Sequence, residues 1–136
     1  MAYRLSGKVL AFIRSQRVAR AATVSRTGEP HNVAVCAVAV GGRIYFASQA
    51  KARKVRNLYA NPRVALAFDH YSENWGELAG VMIVGTCTII DRGVAFRRAR
   101  QALYRKYKPY ARVAAIEEGE SVIVSVAPVR SFSWGL

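Results

Sequence analysis

The sequence predicts an α+β fold that is mainly β: an antiparallel barrel, closed or split, with short flanking helices. Six or seven short segments are rich in Val, Ile, Ala and aromatic residues and are separated by turn residues. Three further segments repeat apolar residues at helical spacing. The length of 136 residues fits a single domain spanning residues 1–136, and no internal repeat or linker divides it.

The first half of the chain contains one predicted helix followed by three strands. Ser6 is a candidate cap for a helix over Gly7–Gln16, where apolar residues recur every three or four positions. Turn chemistry ends at Gly28 between the first two strands, and Gly41-Gly42 predicts a tight hairpin before the third. The predicted strands are Val18–Val24, His31–Val40 and Arg43–Ser48.

The second half begins with a change of period from two to 3.6 residues. A helix is predicted over Lys51–Ala60, with an apolar face made of Val55, Leu58 and Tyr59. A second, basic helix over Gly93–Tyr107 has an apolar face made of Val94, Ala95, Ala99, Ala102 and Leu103. The remaining predicted strands are Val64–Tyr71, Val81–Ile90, Ser121–Val126 and Val129–Trp134.

The chain is strongly basic, with 21 Lys and Arg residues against 8 Asp and Glu and a formal net charge of +13. Three long stretches contain basic residues and no acid: the residues before Glu29, Arg43–Arg63 and Arg92–Arg112. Such a positive field attracts anions and raises their local concentration. It indicates nucleic acid, a phosphate-bearing cofactor, a polyanionic small molecule or an acidic membrane surface as partner, and does not choose among them.

Composition excludes several other classes of protein. Apolar residues make up 52% of the chain, which excludes a disordered one, and no apolar run reaches the ~18 residues of a membrane helix. Cys36 and Cys87 fit neither a disulfide framework nor a zinc spacing, so we expect buried free thiols in a reducing compartment. The basic N-terminus lacks the continuous apolar core of a signal peptide, so we expect a cytoplasmic protein.

Ordinary catalytic motifs are absent from the sequence. The two histidines, His31 and His70, have no metal-type spacing, and no Gly-rich phosphate loop, nucleophile elbow or zinc-protease motif occurs. We therefore assign no catalytic residue and expect no metal. An enzyme with this sequence would depend on a bound cofactor for its chemistry.

The segment after the third predicted strand carries the most information about function. The strand ends at Ser48, and a helix then begins with Lys51, Arg53 and Lys54 near its N-terminus. Unpaired N–H groups at a helix start attract anions, an Arg grips phosphate bidentately, and a Lys adds a point charge. The pattern predicts a phosphate-binding site, with a solvated basic helix face as the alternative.

Several motifs occur here in a familiar order. After Ser48 come Ala52-Arg53-Lys54 and Asn61-Pro62-Arg63-Val64, and the other motifs are Ala22-Thr23-Val24, Gly28-Glu29-Pro30-His31, Gly85 and Trp134-Gly135. In these residues the chain resembles the pyridoxamine 5′-phosphate oxidase-like superfamily of FMN-binding split barrels. A branch of it named for coenzyme F420 is more similar, through Asp69-His70-Tyr71, Trp75, Leu78, Val81, Arg105 and Tyr107-Lys108-Pro109-Tyr110.

The resemblance implies a six-stranded antiparallel split β-barrel with flanking short helices, which forms a homodimer and binds a flavin or deazaflavin at the dimer interface. It assigns the cofactor phosphate to Arg53 and Lys54, helped by Ser48 and the neighbouring Lys51. Val33 and Val35 are expected to lie along the cofactor ring and its side chain. Trp134 and Trp75 are candidates for stacking on the ring, with core or interface packing as the alternative.

The chain departs from the oxidase at three positions. The oxidase carries basic residues where Val33 and Val38 stand and a Gln where Gly80 stands. These differences argue against oxidation of pyridoxamine phosphate and weaken the case for FMN. Coenzyme F420 has a phosphodiester and an oligoglutamate tail, so it is more anionic than FMN and suits a chain of charge +13 better.

Two classes of function follow from the sequence. The first is an oxidoreductase that uses coenzyme F420, or else FMN, to pass a hydride to a small electron-poor substrate. The second is a binding module without turnover, either a flavin-type carrier or a basic nucleic-acid-binding protein. His70 is a candidate proton donor or a packed histidine, and the sequence names neither the substrate nor the proton donor.

Overall fold

A computed structural model describes residues 3–136 of the chain. Seven strands form one antiparallel sheet in the order β2-β1-β5-β6-β7-β4-β3. The strands are β1 (Ala19–Val24), β2 (Pro30–Val35), β3 (Ala37–Val40), β4 (Arg43–Gln49), β5 (Arg63–His70), β6 (Ala79–Ile90) and β7 (Ser121–Trp134). The helices are α1 (Gly7–Ser15), α2 (Arg53–Ala60), α3 (Val94–Lys106) and α4 (Tyr110–Val113). The predicted class is confirmed, with seven strands where six were expected.

The two edges of the sheet are joined by a single residue. β2 and β3 lie at opposite ends of the strand order, yet only Cys36 separates them in the chain. The sheet must therefore curl until its edges approach each other, which makes it a split barrel. The prediction of one continuous strand over His31–Val40 is wrong, because the chain leaves one edge at Val35 and enters the other at Ala37.

The break at Cys36 is held by the end of α3. The backbone N–H of Ala37 donates to the Tyr107 hydroxyl at 3.1 Å, and Lys106 Nζ donates to the Ala37 carbonyl at 2.8 Å. Lys106 Nζ also donates to the Ile13 carbonyl at 3.2 Å, and the Tyr107 hydroxyl lies 2.8 Å from the Arg17 carbonyl. Side chains thus satisfy backbone groups at the edge of the sheet, where no further strand is available.

Apolar residues fill the barrel, and α1 packs against this core. Ser6 caps α1 by accepting a hydrogen bond from the Val9 N–H at 3.2 Å, as predicted, and Val9 and Ile13 are buried. A second apolar cluster lies between α3 and the sheet, where Phe96, Ala99 and Leu103 are buried. The predicted α3 face is therefore wrong at Val94 and Ala95, which are exposed. None of the helices in residues 3–136 has the length and apolarity to span a membrane.

The prediction of two separate strands, Ser121–Val126 and Val129–Trp134, is wrong. β7 is a single strand that continues through Pro128, because a bulge opposite Val84 and Gly85 shifts its register and so accommodates a residue without an N–H. In α2, Tyr59 is 68% exposed, and Asn57 is buried beside Val55 and Leu58 instead. The Gly41-Gly42 hairpin is confirmed, since both residues have positive φ angles, 58° and 81°.

Lys106 makes the stability of the fold depend on pH. Burial, with a smaller contribution from Arg17, lowers the pKa of Lys106 from 10.5 to about 8, while Cys36 acts in the opposite direction. Between these two pKa values the unfolded chain binds more protons than the folded one, so this residue's contribution to stability rises with pH. We expect the free energy of unfolding of the wild type, minus that of Lys106→Met, to increase from pH 7.5 to pH 9.5.

Urea unfolding at a series of pH values measures this difference. Taking the difference between the two proteins cancels the opposing effect of Cys87 and Tyr110, whose pKa values burial raises to about 12. A difference that stays constant across this pH range would contradict the expectation.

Candidate cofactor site

The predicted phosphate site lies between the end of β4 and the start of α2. Residues 50–52 connect the two elements, and α2 begins at Arg53, two residues later than predicted. The N-cap residue is Ala52, and no side chain of residues 3–136 caps the first turn. The N-terminal N–H groups of a helix need partners and lie at the positive end of its dipole. An anion at this position would satisfy both requirements.

Three cations and one hydroxyl surround this uncapped turn. Lys51 is exposed, and Arg53 makes an ion pair with Glu29 at 3.8 Å, with the Arg53 side chain 53% and the Glu29 side chain 73% exposed. An exposed ion pair of this length adds little stability, so Arg53 is free to exchange Glu29 for another anion. Burial lowers the pKa of Lys54, so a neighbouring negative charge would favour its ammonium form. The Ser48 hydroxyl donates to the Gln49 carbonyl at 3.0 Å.

A buried hydrogen bond fixes α2 against β1. Asn57 Nδ2 donates to Thr23 Oγ1 at 3.0 Å, and both residues are buried. This bond determines where the first turn of α2 lies relative to the β1–β2 hairpin. Asn57 is not among the residues predicted from the sequence; the signal that marks it is a polar residue between Val55 and Leu58 on the apolar face of a short helix.

One buried polar atom of the β1–β2 hairpin has no hydrogen-bond partner within residues 3–136. His31 pairs with Thr23 across β1 and β2, so it lies next to the residue that Asn57 contacts. His31 Nδ1 is buried and makes no hydrogen bond within residues 3–136. An unsatisfied buried polar atom costs about 1–3 kcal/mol. The uncapped turn and its cations suit an anionic group such as a phosphate.

Val33 and Val35, the two predicted ring contacts, lie in the barrel core. Val33 and Val35 alternate with exposed residues along β2 and pack in the barrel core. Their side chains therefore do not line an outer surface. β2 is an edge strand, however, so its backbone groups on the free side have no neighbouring strand. A cofactor ring outside the core would therefore contact Val33 and Val35 through their backbone groups.

Ser48 and Trp134 lie beside opposite ends of β7. Ser48 pairs with Val122 near the start of β7, and Trp134 pairs with Gly80 at the end of the same strand. Twelve residue steps of β-strand correspond to about 40 Å of chain. The indole covers Gly80 so closely that a Cβ on Gly80 would collide with it. Ser48 with the start of α2, and Trp134, therefore form two groups beside opposite ends of β7.

Ser48 also lines a groove. The groove has a volume of about 320 Å³ and lies between the end of β4 and the segment around α4, where Tyr110 and Ile116 line it. Ligand pockets commonly measure about 300–1,000 Å³. Of the predicted site residues, Ser48 borders this space of ligand size.

A family model described as pyridoxamine 5′-phosphate oxidase matches residues 5–135. The chain belongs to the pyridoxamine 5′-phosphate oxidase family. A search of curated proteins finds no significant match. The superfamily resemblance stated from the motifs is therefore confirmed for nearly the whole chain.

Solved structures extend the comparison within this fold. The conserved hypothetical protein Rv2991 from Mycobacterium tuberculosis aligns with a TM-score of 0.82 and 24% identity, over 98% of this chain and 86% of that one. HutZ, a heme storage protein from Vibrio cholerae, aligns with a TM-score of 0.80 and 15% identity, over 96% of this chain and 94% of that one. An F420 reductase aligns with a TM-score of 0.72 and 21% identity, over 94% of this chain and 98% of that one. At these identities the likenesses establish the split-barrel fold alone.

The contact between Gly80 and Trp134 generates a prediction. We expect Gly80→Ala to displace the indole, because the added methyl group has no room. Tryptophan emission should shift to longer wavelength as Trp134 becomes more exposed. Gly7→Ala is the matched control, since a Cβ at Gly7 meets nothing within 4 Å. An unchanged emission spectrum in Gly80→Ala would contradict this packing.

Proposed function

We propose that this member of the family is a homodimeric oxidoreductase that uses coenzyme F420, or else FMN, to reduce a small electron-poor substrate. The observation that carries the proposal is the uncapped first turn of α2, which has Arg53 and Lys54 beside it and Ser48 just before it. Helix N–H groups, a guanidinium and an ammonium are the donors that a phosphate ester requires. Free thiols at Cys36 and Cys87 suit a reducing cytoplasm.

Each residue of this site has a separate role in the proposal. Arg53 releases Glu29 and binds the phosphate bidentately, and Lys54 and Lys51 add positive charge. Ser48 rotates its hydroxyl from the Gln49 carbonyl toward the phosphate. The bound cofactor supplies the hydride chemistry, while the chain binds and orients it. Solvent is the proposed source of the proton.

Three positions favour coenzyme F420 over FMN. Val33 and Val38 pack in apolar clusters, so neither position supplies the positive charge that the oxidase has there. Trp134 fills the space over Gly80, where the oxidase has a Gln. In contrast, the chain keeps a net charge of +13, which favours the cofactor with the longer anionic tail.

A dimer would bring the two groups of site residues together. The outer face of β6 and β7 exposes Met82 and Phe132, which pair across the strands, and Trp134 lies 5.8 Å from the Phe132 ring. Phe132 is 62% exposed, which is unusual for so large an apolar side chain unless it binds a partner. We propose that this face pairs with a second copy of the chain, so that the end of one β7 approaches the α2 site of the other.

Cofactor titration tests the phosphate site. We expect Arg53→Ala to weaken binding of coenzyme F420 by at least about tenfold, because one charge-assisted hydrogen bond contributes roughly 1.5–3 kcal/mol. Arg56→Ala, an exposed change on the same helix, is the matched control and should leave affinity within about twofold. Fluorescence titration measures both variants.

The same titration compares ligands. Coenzyme F420 should bind more tightly than FMN, with an affinity that rises with the length of its glutamate tail. Hemin is the third ligand, because HutZ is a heme storage protein of the same fold. An equal loss of cofactor affinity in Arg53→Ala and Arg56→Ala would contradict the proposed phosphate site. Tighter binding of hemin than of either flavin-type cofactor would replace the oxidoreductase with a heme-binding function.

Light scattering tests the dimer. The wild type should have a mass near twice the chain mass of 15.0 kDa. Phe132→Glu should give the mass of one chain and weaken cofactor binding, because a buried carboxylate at the interface has no partner. Val113→Glu places the same charge at another exposed apolar position and should leave the dimer intact. A wild-type mass near 15 kDa would contradict the shared site.

A further inference from the structure

The C-terminal ends of α1 and α3 meet on one side of the barrel. Arg17 Nη1 donates to the Lys106 carbonyl at 2.6 Å, and Lys106 Nζ donates to the Ile13 carbonyl. Four exposed cations flank this junction and form what we call the basic ridge: Arg14, Arg17, Arg105 and Lys108. The junction is held by hydrogen bonds, so these cations are carried on a fixed framework rather than on a loose tail.

No ion pair within residues 3–136 offsets the charge of the basic ridge. Seven of the eight acids lie elsewhere: Glu29 between β1 and β2, Glu73 and Glu77 between β5 and β6, and Asp91, Glu117, Glu118 and Glu120 near the start of α3 and of β7. Asp69, at the end of β5, is paired with Arg20 at 2.9 Å. The ion pairs found in residues 3–136 include none of the four ridge residues. The ridge therefore presents four like charges, which favours a partner with closely spaced negative charges.

Because the apolar faces of α1 and α3 are buried, a membrane surface does not fit the basic ridge as a partner. An interfacial helix needs a free apolar face that can enter the lipid. The apolar residues of α1, Val9 and Ile13, are buried against the barrel core, and Phe96 and Leu103 of α3 are buried against the sheet. The ridge thus offers charge without an apolar face.

The nearby tyrosines are not free to stack on bases. Tyr107 bonds to the Ala37 backbone, and the Tyr104 hydroxyl accepts from the Ile116 N–H at 2.9 Å. The Tyr110 ring packs 6.0 Å from Tyr104 and 6.1 Å from Tyr107. Single-stranded nucleic acid is bound by exposed aromatic platforms, and these three rings do not provide one. A duplex presents its phosphates without requiring stacking.

We propose that the basic ridge binds the backbone of double-stranded nucleic acid without reading its sequence. Phosphates of the duplex contact Arg14 and Arg17 on the α1 side and Arg105 and Lys108 on the α3 side. This site is separate from the cofactor site: the ridge lies at the Ala19 end of β1, and Arg53 lies beside Glu29, past the Val24 end. Five residue steps of strand, about 17 Å, separate these two ends.

Fluorescence anisotropy with a labelled 24-base-pair duplex of mixed sequence, from 50 to 200 mM KCl, tests the proposal. Four phosphates neutralised predict a slope of log K against log salt near −3.6, and each cation removed lowers its magnitude by about 0.9. Arg14→Gln/Arg105→Gln removes two ridge charges and should lower it by about 1.8. The control, Arg26→Gln/Arg63→Gln, removes two exposed charges elsewhere and should lower it by less than about 0.5.

Two parallel measurements separate the possible outcomes. Thermal unfolding checks that both double variants are folded, and titration with coenzyme F420 should give the same affinity in all three proteins. Equal loss of slope in both double variants would overturn the ridge in favour of general charge attraction. Tighter binding to vesicles of anionic lipid than to the duplex would also overturn it, in favour of a membrane surface. Loss of duplex binding with intact cofactor binding leaves the proposed oxidoreductase unaffected.

Discussion

The barrel depends on how the backbone of Ala37 is satisfied. Its N–H and carbonyl lie at the edge of β3, where the sheet supplies no further strand, and Tyr107 and Lys106 take the place of one. Without these partners, one continuous strand through Cys36 would be favoured, since the residues on both sides are apolar and suited to β structure. The end of α3 thus decides that the barrel is split.

The same break positions the candidate cofactor site. Because β2 ends at Val35, it remains an edge strand that pairs with β1 alone among the strands of residues 3–136, and the β1–β2 hairpin carries Thr23 and His31. The bond from Asn57 to Thr23 then holds α2 against this hairpin with its first turn uncapped. The proposed phosphate-binding groups are therefore arranged by the fold before any ligand binds, which would lower the cost of ordering them.

In the proposed dimer, cofactor binding depends on assembly. Ser48 lies beside the start of β7 and Trp134 at its end, at most about 40 Å apart along the strand, so the two lie at different places on one barrel. The proposed dimer would bring them together in the same step that covers Phe132 and Met82. Charge is also divided: Asp91, Glu117, Glu118 and Glu120 lie just before α3 and β7, Glu73 and Glu77 lie between β5 and β6, and the charged residues at the C-terminal ends of α1 and α3 are cations.

The sequence by itself determined the fold class, the Ser6 cap, the Gly41-Gly42 hairpin and the local cluster of Ser48, Lys51, Arg53 and Lys54. These features depend on short-range patterns: apolar period, turn residues and charges near a helix start. Only the tertiary structure decided the break at Cys36, the burial of Asn57, the inward direction of Val33 and Val35 and the distance of Trp134. Each of these follows from contacts between residues far apart in the chain, such as Ala37 with Tyr107 and Asn57 with Thr23. A local sequence pattern does not indicate which distant group will complete a hydrogen bond.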